Sequence, residues 1–421
     1  MFRSKRSVFT LLFLSVFLLF LAVVSLSNGR VSAAPSAVMS TVATGLNHPR
    51  GLEFGPNGGL YIAEAGTGGA GPCTILPTGL NVCYGTTGAV VEVLGGVQSD
   101  YITGMPSIGD NPLTEALGPH DIAFDENGDM FILIGLGTDP SVLEAGGDLD
   151  GLGFAQIVQD DGAGGFTPVV PIGPYEIASN PDGGLLDTNP FALLSSTSGH
   201  VVADAGGNSL LQIDAGNTIS ATAVFPNVMV EFPPGSGMMI PMQAVPTGVV
   251  VGPDSAHYIS QLTGFPFPVG GASVFRKEAG MAYTADETGF TNILDVDFDS
   301  MGNMYVLEMA AGGLLNAGTD PRGALTMIAP DGTRTLIAMD GLVLPTGMVV
   351  GPDDAIYVSN YGVMGGIGEV VRITMAPTSV SLSGFGGDSV PGIFWPLVLL
   401  AVVIGLGATV FGLRLKKVEI E

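Results

Sequence analysis

The sequence predicts an all-β fold, a six-bladed β-propeller, because one strand–turn–strand pattern occurs six times. Each copy is a short apolar strand, a tight turn rich in Gly, Pro, Asn, Asp or Ser, and a second apolar strand. One such unit cannot bury both of its faces alone, so a repeat of about 45 to 70 residues is typical of blades arranged in a ring. The copies are residues 49–65, 119–135, 190–205, 246–262, 293–309 and 345–361.

The strands of each blade follow from this pattern. Each copy supplies strands one and two, and a second hairpin after it supplies strands three and four; this hairpin is clearest in ALTMIAPDGTRTLIAM, residues 324–339. The apolar residues run almost without interruption, as expected for strands that neighbouring blades cover on both faces. We therefore expect strands and turns in the propeller, and no helices.

The ring is predicted to close with a strand from the beginning of the exported chain. After the sixth copy the sequence supplies a third strand at residues 369–374, and no fourth one follows. Residues 40–46 precede the first copy with the spacing of a fourth strand. We expect them to complete the sixth blade, which removes the open sheet edge of an unclosed ring.

The two ends of the sequence predict export and membrane attachment. Residues 1–34 have a basic start, a long apolar run and a small-residue cleavage site, as in a signal peptide; an uncleaved N-terminal anchor is the alternative. Residues 35–375 form the propeller and residues 376–391 a Ser/Gly/Pro-rich stalk. Residues 393–413 carry no charge and are long enough for a transmembrane helix. The basic tail, residues 414–421, marks the cytoplasmic side.

We therefore expect a single-pass protein of the cell membrane with its propeller on the extracytoplasmic side. Residues 35–391 contain six basic residues and 37 acidic ones, a formal charge of about −31. Such a surface repels nucleic acid and favours cations or basic partners. The alternative reading of the same charge is solubility of an exported, Lys-poor protein.

The two cysteines are predicted to form a local disulfide. Cys73 and Cys83 lie in one connecting segment of an exported domain, where thiols oxidise. Zinc would need two further ligands, and no other His or Cys lies near them in the sequence.

The phase of the repeat assigns each connection to one end of the propeller. We call the end at which every second strand finishes face X, and the opposite end face Y. The turns on face Y are all short, whereas face X receives the long connections. Long loops on one side of a rigid scaffold are where binding usually occurs. The long connections are residues 66–87, 104–118, 136–154, 172–189, 228–245 and 310–323.

Several segments together resemble the ScyD/ScyE family, which are secreted, NHL-like six-bladed propellers named from gene clusters for the cyanobacterial pigment scytonemin. They are TGLNHPRGLEFGPNGGLYIAEAG, GPC…CYGTTGAVVEV, LGPHDIAF with ILIGLG, and VVADAGGNSLLQID. The resemblance covers essentially the whole propeller. It implies the fold, export and an accessory association with an extracellular metabolite, but no particular reaction. The membrane helix and basic tail depart from the family's usual pattern.

Side-chain oxygen recurs at the last position of the second strand. Five of the six copies have it, Ile134 being the exception. A ring of such groups on face X would suit calcium, which takes six to eight oxygen ligands. The alternative is that these oxygens accept backbone hydrogen bonds between blades. As metal ligands we predict Glu64, Asp204, Glu308 and Asn360.

A second group of polar residues lies where the innermost strands begin on face X. His48, Arg50, His120 and Asp121 are the candidate ligand-binding residues. Capping of the strand starts is the alternative role of the two histidines. Catalytic residues are not identified, since no nucleophile motif, phosphate-binding loop or dinucleotide fingerprint is present.

Two functions are compatible with these observations. The first is a non-enzymatic module, tethered to the membrane, that binds an extracytoplasmic ligand or protein on face X. The second is a calcium-dependent hydrolase or lactonase with its site at the axial rim, in which the metal would polarise an ester carbonyl. The ligand, substrate and oligomeric state are not encoded in any pattern that we recognise.

Overall fold

The computed structural model describes residues 37–77, 79–110 and 116–375. In this part of the chain six antiparallel sheets form a ring. The innermost strand of each sheet contacts the innermost strands of the two neighbouring sheets, and the sixth returns to the first. This arrangement confirms the prediction of an all-β six-bladed β-propeller.

The first strand of the chain, β1 (Ala37–Asn47), belongs to the sixth blade. Blades one to three contain the next strands, given from the axis outward within each blade. Blade one contains β2 (Pro49–Phe54), β3 (Leu60–Glu64), β5 (Asn81–Leu94) and β6 (Val97–Gly109), with the short strands β4 (Cys73–Ile75) and β7 (Ala116–Leu117) attached. Blade two contains β8 (Pro119–Phe124), β9 (Met130–Ile134), β10 (Gln156–Asp160) and β11 (Phe166–Pro171). Blade three contains β12 (Pro190–Ser196), β13 (Gly199–Asp204), β14 (Ser209–Asp214) and β15 (Ile219–Val224).

Blades four to six follow the same order from the axis outward. A separate hairpin, β16 (Val228–Glu231) and β17 (Met239–Met242), precedes blade four. Blade four contains β18 (Pro246–Val251), β19 (His257–Gln261), β20 (Ala272–Lys277) and β21 (Thr284–Phe290). Blade five contains β22 (Ile293–Phe298), β23 (Met304–Glu308), β24 (Ala324–Ile328) and β25 (Arg334–Ala338). Blade six contains β26 (Gly347–Val350), β27 (Ile356–Asn360), β28 (Gly365–Met375) and β1.

The sixth blade closes as the sequence predicts. Strand β1 pairs antiparallel with β28, in a register from Ala37 opposite Met375 to Asn47 opposite Gly365. The strand is longer than the predicted residues 40–46. Its residues Ala43 and Leu46 are almost fully buried and pack in one cluster with β2 and β3, so closure also joins the sixth blade to the first.

The core lies between adjacent blades. Every residue of β3, β9, β13 and β23 is buried, as expected for second strands that are covered on both faces. Tyr61 of blade one packs in the same cluster as Ile122 and Ile132 of blade two. Each fully buried side chain of this size contributes about 1.5–3 kcal/mol, so the stacked faces hold the ring together.

The turns on face Y are short because their residues fit a left-handed conformation. In blade two Gly128 has φ 85°, and Asp125 Oδ1 accepts hydrogen bonds of 2.9 Å from the backbone nitrogens of Asn127 and Asp129. A glycine adopts this φ without a steric penalty. Connections on face Y have six residues or fewer, whereas those on face X reach 21 residues, which confirms the predicted difference between the two faces.

Several predicted loops of face X contain regular structure. The expectation of no helix is wrong, because α1 (Gly173–Ser179) lies between β11 and β12 and two short 3₁₀ turns occur at Pro140–Leu143 and Leu314–Asn316. Residues 228–245 include the hairpin β16–β17. Residues 81–87 and 104–109 are not loops either, since β5 and β6 extend beyond the blade as a long paired ribbon.

The predicted disulfide is confirmed within that ribbon. Cys73 of β4 and Cys83 of β5 are bonded and face each other in the strand pairing. It therefore joins β4 to the extended part of β5 on face X, outside the four-stranded core of the blade.

Three predictions lie outside the described residues. They are the signal peptide at residues 1–34, the stalk at 376–391 and the transmembrane helix at 393–413 with its tail. Within the described ranges, none of the helices has the length and apolar character that crossing a membrane requires.

Candidate functional site

The axis of the propeller is lined by one repeated position, the third residue of each of the six sequence copies. Around the ring this position is an aspartate in blades two and five and a glycine or alanine in the other four blades. A Cβ on Gly51 would lie only 2.0 Å from Asp121 Oδ1, and one on Gly248 only 2.8 Å from Asp295 Oδ1, so each glycine leaves room for the aspartate of the next blade. The six residues, from blade one to blade six, are Gly51, Asp121, Ala192, Gly248, Asp295 and Gly347.

The two aspartates each connect their own blade to the next one. Asp121 Oδ2 accepts a hydrogen bond of 2.7 Å from the backbone nitrogen of Leu193 in blade three. Asp295 Oδ2 accepts one of 2.8 Å from Met348 in blade six. In both cases Oδ1 accepts a hydrogen bond of 2.9 Å from the backbone nitrogen of the residue that follows the aspartate. An innermost strand has no partner strand on its axial edge, and these carboxylates accept from amides of that edge.

A second level of carboxylates lies two residues further along the same strands. Asp297 Oδ2 accepts a 2.6 Å hydrogen bond from the backbone nitrogen of Val350 in blade six. Glu53 of blade one borders the same space. Its Oε1 accepts from the backbone nitrogen of Phe54. The aspartates of blade five thus bind the edge of blade six at two successive levels.

These carboxylates border an axial cavity of about 80 Å³. Burial raises the pKa of Glu53 to about 8, of Asp121 to about 7 and of Asp297 to about 6. Burial, together with the charge of Asp121, holds the pKa of Asp295 well above its ordinary value. Carboxyl groups are therefore partly protonated in this cavity near neutral pH.

Three of the predicted ligand-binding residues form one group at the face X end of the axis. His48, Arg50 and His120 are 0%, 6% and 1% exposed, and Arg50 lies close enough to lower the pKa of both histidines. Arg50 Nη2 donates to the carbonyl of Ala116 at 2.8 Å. Asp121, the fourth predicted residue, borders the axial cavity together with His120.

The two histidines are held in the same way. His48 Nδ1 lies 2.8 Å from the carbonyl oxygen of Gly66, and His120 Nδ1 lies 3.1 Å from that of Pro190. Since a carbonyl only accepts, each Nδ1 carries the proton, and each Nε2 has a free lone pair. Both Nε2 atoms are buried without a hydrogen-bond partner. Burial, and then the charge of Arg50, lowers the pKa of His48 to about 4 and of His120 to about 3.

The four predicted metal ligands occupy equivalent positions, each at the end of a second strand. Each one binds the segment that leads into its own blade. In each case a backbone N–H donates to the side-chain oxygen. Asn47 donates to Glu64 at 2.6 Å, Asn189 to Asp204 at 2.8 Å, Thr291 to Glu308 at 2.6 Å and Val343 to Asn360 at 2.6 Å. These oxygens accept backbone hydrogen bonds, as in the alternative role, but for Asp204, Glu308 and Asn360 the donors belong to the segment that enters the same blade and not to a neighbouring sheet.

The structure does not bring these four residues together as a metal site. Across the described ranges, no three His, Cys, Asp or Glu side chains are arranged to hold a metal ion. Glu64 and Glu308 are 6% and 9% exposed. Burial raises the pKa of both to about 7.

Asp204 instead adjoins an acidic group that the repeat pattern did not reveal. Glu176 of α1, together with Asp182 and Asp187 of the following loop, surrounds it on face X. Burial, and then the charges of Asp204 and other aspartates, raises the pKa of Glu176 to about 8 and of Asp187 to about 6. The available signal was the run of acids and carboxamides in YEIASNPDGGLLDTN, which no blade needs.

Two surface depressions differ in position and size. One of about 200 Å³ lies on face X and includes Leu76, Asp187 and Gln243 in its lining. The other, of about 460 Å³, lies on face Y between blades four and five and includes Tyr258 and Met301. Open space is therefore present at both ends of the propeller.

Comparison with known proteins identifies the fold. No protein-family model matches the sequence, and no curated protein matches it. Among solved structures, a gluconolactonase from Xanthomonas campestris aligns over 83% of this chain and 94% of its own, with 10% identity and a TM-score of 0.50. A protein of unknown function from Bacteroides thetaiotaomicron aligns over 80% of this chain and 76% of its own, with 9% identity and a TM-score of 0.50.

A streptogramin B lyase also aligns, over 81% of this chain and 98% of its own, with 10% identity and a TM-score of 0.45. At 9–10% identity, the two structures with a TM-score of 0.50 show the fold alone. The function must therefore be argued from the side chains of this chain.

Proposed function

We propose that this protein is an extracytoplasmic propeller, tethered to the membrane, that binds a partner through face X and catalyses no reaction. The observation that carries the proposal is an exposed apolar patch on that face. The hairpin β16–β17 and the loop after β19 expose large apolar side chains by 50–66% of their surface: Val228, Met229, Met238, Met239, Phe265 and Val269.

The two segments form one patch, because Phe232 of the hairpin region and Phe265 of the loop are in edge-to-face contact, with ring centroids 4.9 Å apart. Clustered exposed apolar groups are typical of interaction sites, and methionine adapts to the shape of a partner. The formal charge of about −31 for residues 35–391 favours a partner with a basic rim around an apolar centre.

Catalysis is less well supported by the geometry. The side chains with catalytic chemistry, His48, Arg50 and His120, are sealed from solvent. The cavity beside them has about 80 Å³, which is room for a few water molecules and not for an ester or lactone substrate.

The first and last described strands of the propeller meet in the sixth blade. Ala37 pairs with Met375, and both lie at face Y, where β1 begins and β28 ends. The resemblance to ScyD/ScyE proteins adds an extracellular metabolite to the partners to be tested.

Site-specific photocrosslinking in the producing cells tests the binding proposal. A photoreactive residue is placed at Met238 on face X or, as the matched control, at Met301 on the face Y turn between β22 and β23; both side chains are more than half exposed. We expect a discrete crosslinked product from position 238 and none from 301. Products from 301 alone, or from neither position, would contradict the proposal.

Two further measurements test the other parts. Full-length protein should sediment with membranes, and a chain that ends before Pro391 should not. The detergent-solubilised protein should hydrolyse neither δ-lactones nor p-nitrophenyl esters. Turnover that His120→Ala abolishes would establish a hydrolase instead.

A further inference from the structure

The connection between β11 and β12 has a concentration of oxygen-bearing side chains that the blades do not use. Helix α1 supplies Glu176, its C-cap is Asn180, and the following loop supplies Asp182 and Asp187. Asn180 follows the helix with a left-handed backbone, and its backbone nitrogen donates to the carbonyl oxygen of Glu176 at 2.8 Å, so the two residues are neighbours at the end of the helix. The connection lies on face X, and Asp187 lines the depression of about 200 Å³ there.

Three oxygens in this segment lack hydrogen-bond partners although they are buried. They are Glu176 Oε1, Asn180 Oδ1 and Asp187 Oδ1. The Glu176 residue is only 2% exposed. A buried oxygen that accepts no hydrogen bond costs free energy, and a buried carboxylate without a compensating charge costs more. Three such atoms within twelve residues indicate a missing positive group.

The surroundings of these oxygens are acidic. Glu176 Oε2 and the Asp204 carboxyl lie 3.2 Å and 3.3 Å from the position that a Cβ on Gly207 would occupy, so the absence of a side chain there leaves the two carboxyl groups facing one space. The charged groups that act most strongly on Glu176 and Asp187 are other aspartates.

Asp204 and Asp182 are already hydrogen-bonded and serve mainly as charge. Asp204 accepts from Thr188 Oγ1 and from two backbone nitrogens. Asp182 accepts from Asn208 Nδ2 at 3.0 Å and from the backbone of Gly184 at 2.7 Å. They fix the segment in place and leave the three free oxygens as the ligands.

We propose that this segment binds one calcium ion through Glu176 Oε1, Asn180 Oδ1 and Asp187 Oδ1. Calcium fits because all three donors are oxygens, carboxylate and carboxamide are mixed, and backbone carbonyls and water complete its six to eight ligands in flexible geometry. Zinc would favour nitrogen or sulfur donors, which the segment lacks. The proposed site has two carboxylates and one carboxamide. It therefore differs from a cluster of three His, Cys, Asp or Glu side chains, which the described residues do not contain.

Calcium binding to the full-length protein in detergent tests this site. The protein is stripped with a chelator, and calcium is titrated in physiological salt with excess magnesium while bound calcium and the melting temperature are measured. We expect one calcium per chain and a melting temperature that rises with calcium concentration, because the ion binds the folded state. No bound calcium in the wild-type protein would overturn the proposal.

The double substitution Glu176→Gln, Asp187→Asn should weaken calcium binding at least tenfold and abolish the rise in melting temperature. The matched control is Glu144→Gln, Asp148→Asn, which removes two exposed carboxylates from a neighbouring face X connection and should bind as the wild type does. Equal binding by the double variant and the wild type would contradict the assignment.

Two more variants keep the test decisive. If the double variant does not fold, Asn180→Gly removes one ligand while preserving the left-handed backbone, φ 34°, at this C-cap; it should weaken binding at least tenfold, and unchanged binding would overturn the site. Glu64→Gln, Glu308→Gln should retain the bound ion. Loss of calcium in that variant would assign the metal to the ends of the second strands instead.

Discussion

Asp295 Oδ2 lies 2.8 Å from the backbone nitrogen of Met348. The same hydrogen bond joins Asp121 to the backbone nitrogen of Leu193 on the opposite side of the ring. Blades one to three and blades four to six thus share one axial plan, in which glycine, aspartate and a small residue follow each other. The aspartate of the middle blade binds the inner edge of the third. Hydrogen bonds from backbone amides to buried carboxyl oxygens therefore hold neighbouring blades in register inside the ring.

The first prediction concerns these two bonds. Asp121→Ala and Asp295→Ala should each lower the free energy of unfolding by about 1–3 kcal/mol, since each leaves buried edge amides without an acceptor. Urea denaturation measures the change. The exposed Asp148→Ala serves as control and should change stability by less than about 0.5 kcal/mol. Wild-type stability in both axial variants would show that solvent satisfies these amides.

The second prediction concerns pH. The pKa of Glu53, Asp121 and Asp297 is raised in the folded protein to about 8, 7 and 6, against ordinary values of 4.5 and 3.8. The pKa of Asp295 is shifted in the same direction. These four carboxyl groups then bind more protons in the folded state than in the unfolded state, so their contribution to stability falls as pH rises between about 4 and 8. The lowered pKa values of His48 and His120 act in the opposite direction below about pH 6.5.

Denaturation at several pH values checks this dependence. We expect the midpoint to be higher at pH 5.5 than at pH 8 by a margin that shrinks in Asp121→Asn, because the asparagine no longer titrates. A midpoint that rises with pH across this range would contradict the raised pKa values. A slope that Asp121→Asn leaves unchanged would assign the effect to the other carboxyl groups.

The repeat pattern predicted the parts of the fold that depend on local sequence. The paired strands and their turns recur in every blade, and five of the six copies begin with proline. Blade number, faces and closure therefore follow from the phase of the pattern. The last residue of each second strand was also identified correctly, from Glu64 in blade one to Asn360 in blade six. The hydrogen bonds of these side chains could not be predicted. Their oxygens accept from backbone N–H groups of the segments that connect the blades, and the sequence does not give the conformation of those segments.

What the sequence did not reveal lies in the connections. Helix α1 was missed because YEIAS is too short for a clear 3.6-residue period. The acidic group around Glu176 was missed because its members come from a helix, a loop and a strand end. Asp295 was missed as the counterpart of Asp121, although both occupy the third position of their innermost strand, because their hydrogen bonds are made between blades.

The third prediction separates the structural role of the second-strand ends from a metal-binding one. Glu64→Gln keeps an oxygen for the N–H of Asn47 and removes a carboxyl whose pKa burial raises to about 7. We expect it to be at least as stable as the wild type at pH 8. Glu64→Ala loses the acceptor and should be less stable by about 1–3 kcal/mol. Equal destabilisation by both substitutions, measured by urea denaturation, would show that the negative charge itself is required.

The fourth prediction concerns the closing strand. In full-length protein, removal of residues 37–45 leaves β28 without its outer partner and uncovers Val371 and Ile373, which are 2% and 0% exposed. We expect loss of cooperative thermal unfolding and aggregation through the exposed edge. The double substitution Cys73→Ser, Cys83→Ser should act far less, since that disulfide closes a short loop outside the blades and contributes about 3 kcal/mol at most.

A matched pair within β1 tests the same closure without a deletion. Leu46 is 1% exposed and packs with blade one, whereas Val38 is 55% exposed on the same strand. Leu46→Ala should cost about 2–5 kcal/mol, because it leaves a cavity between the sixth and first blades. Val38→Ala should change stability by less than about 0.5 kcal/mol. If both variants unfold at the wild-type urea concentration, β1 does not contribute to closing the ring, and the strand that secures the sixth blade must be sought elsewhere in the chain.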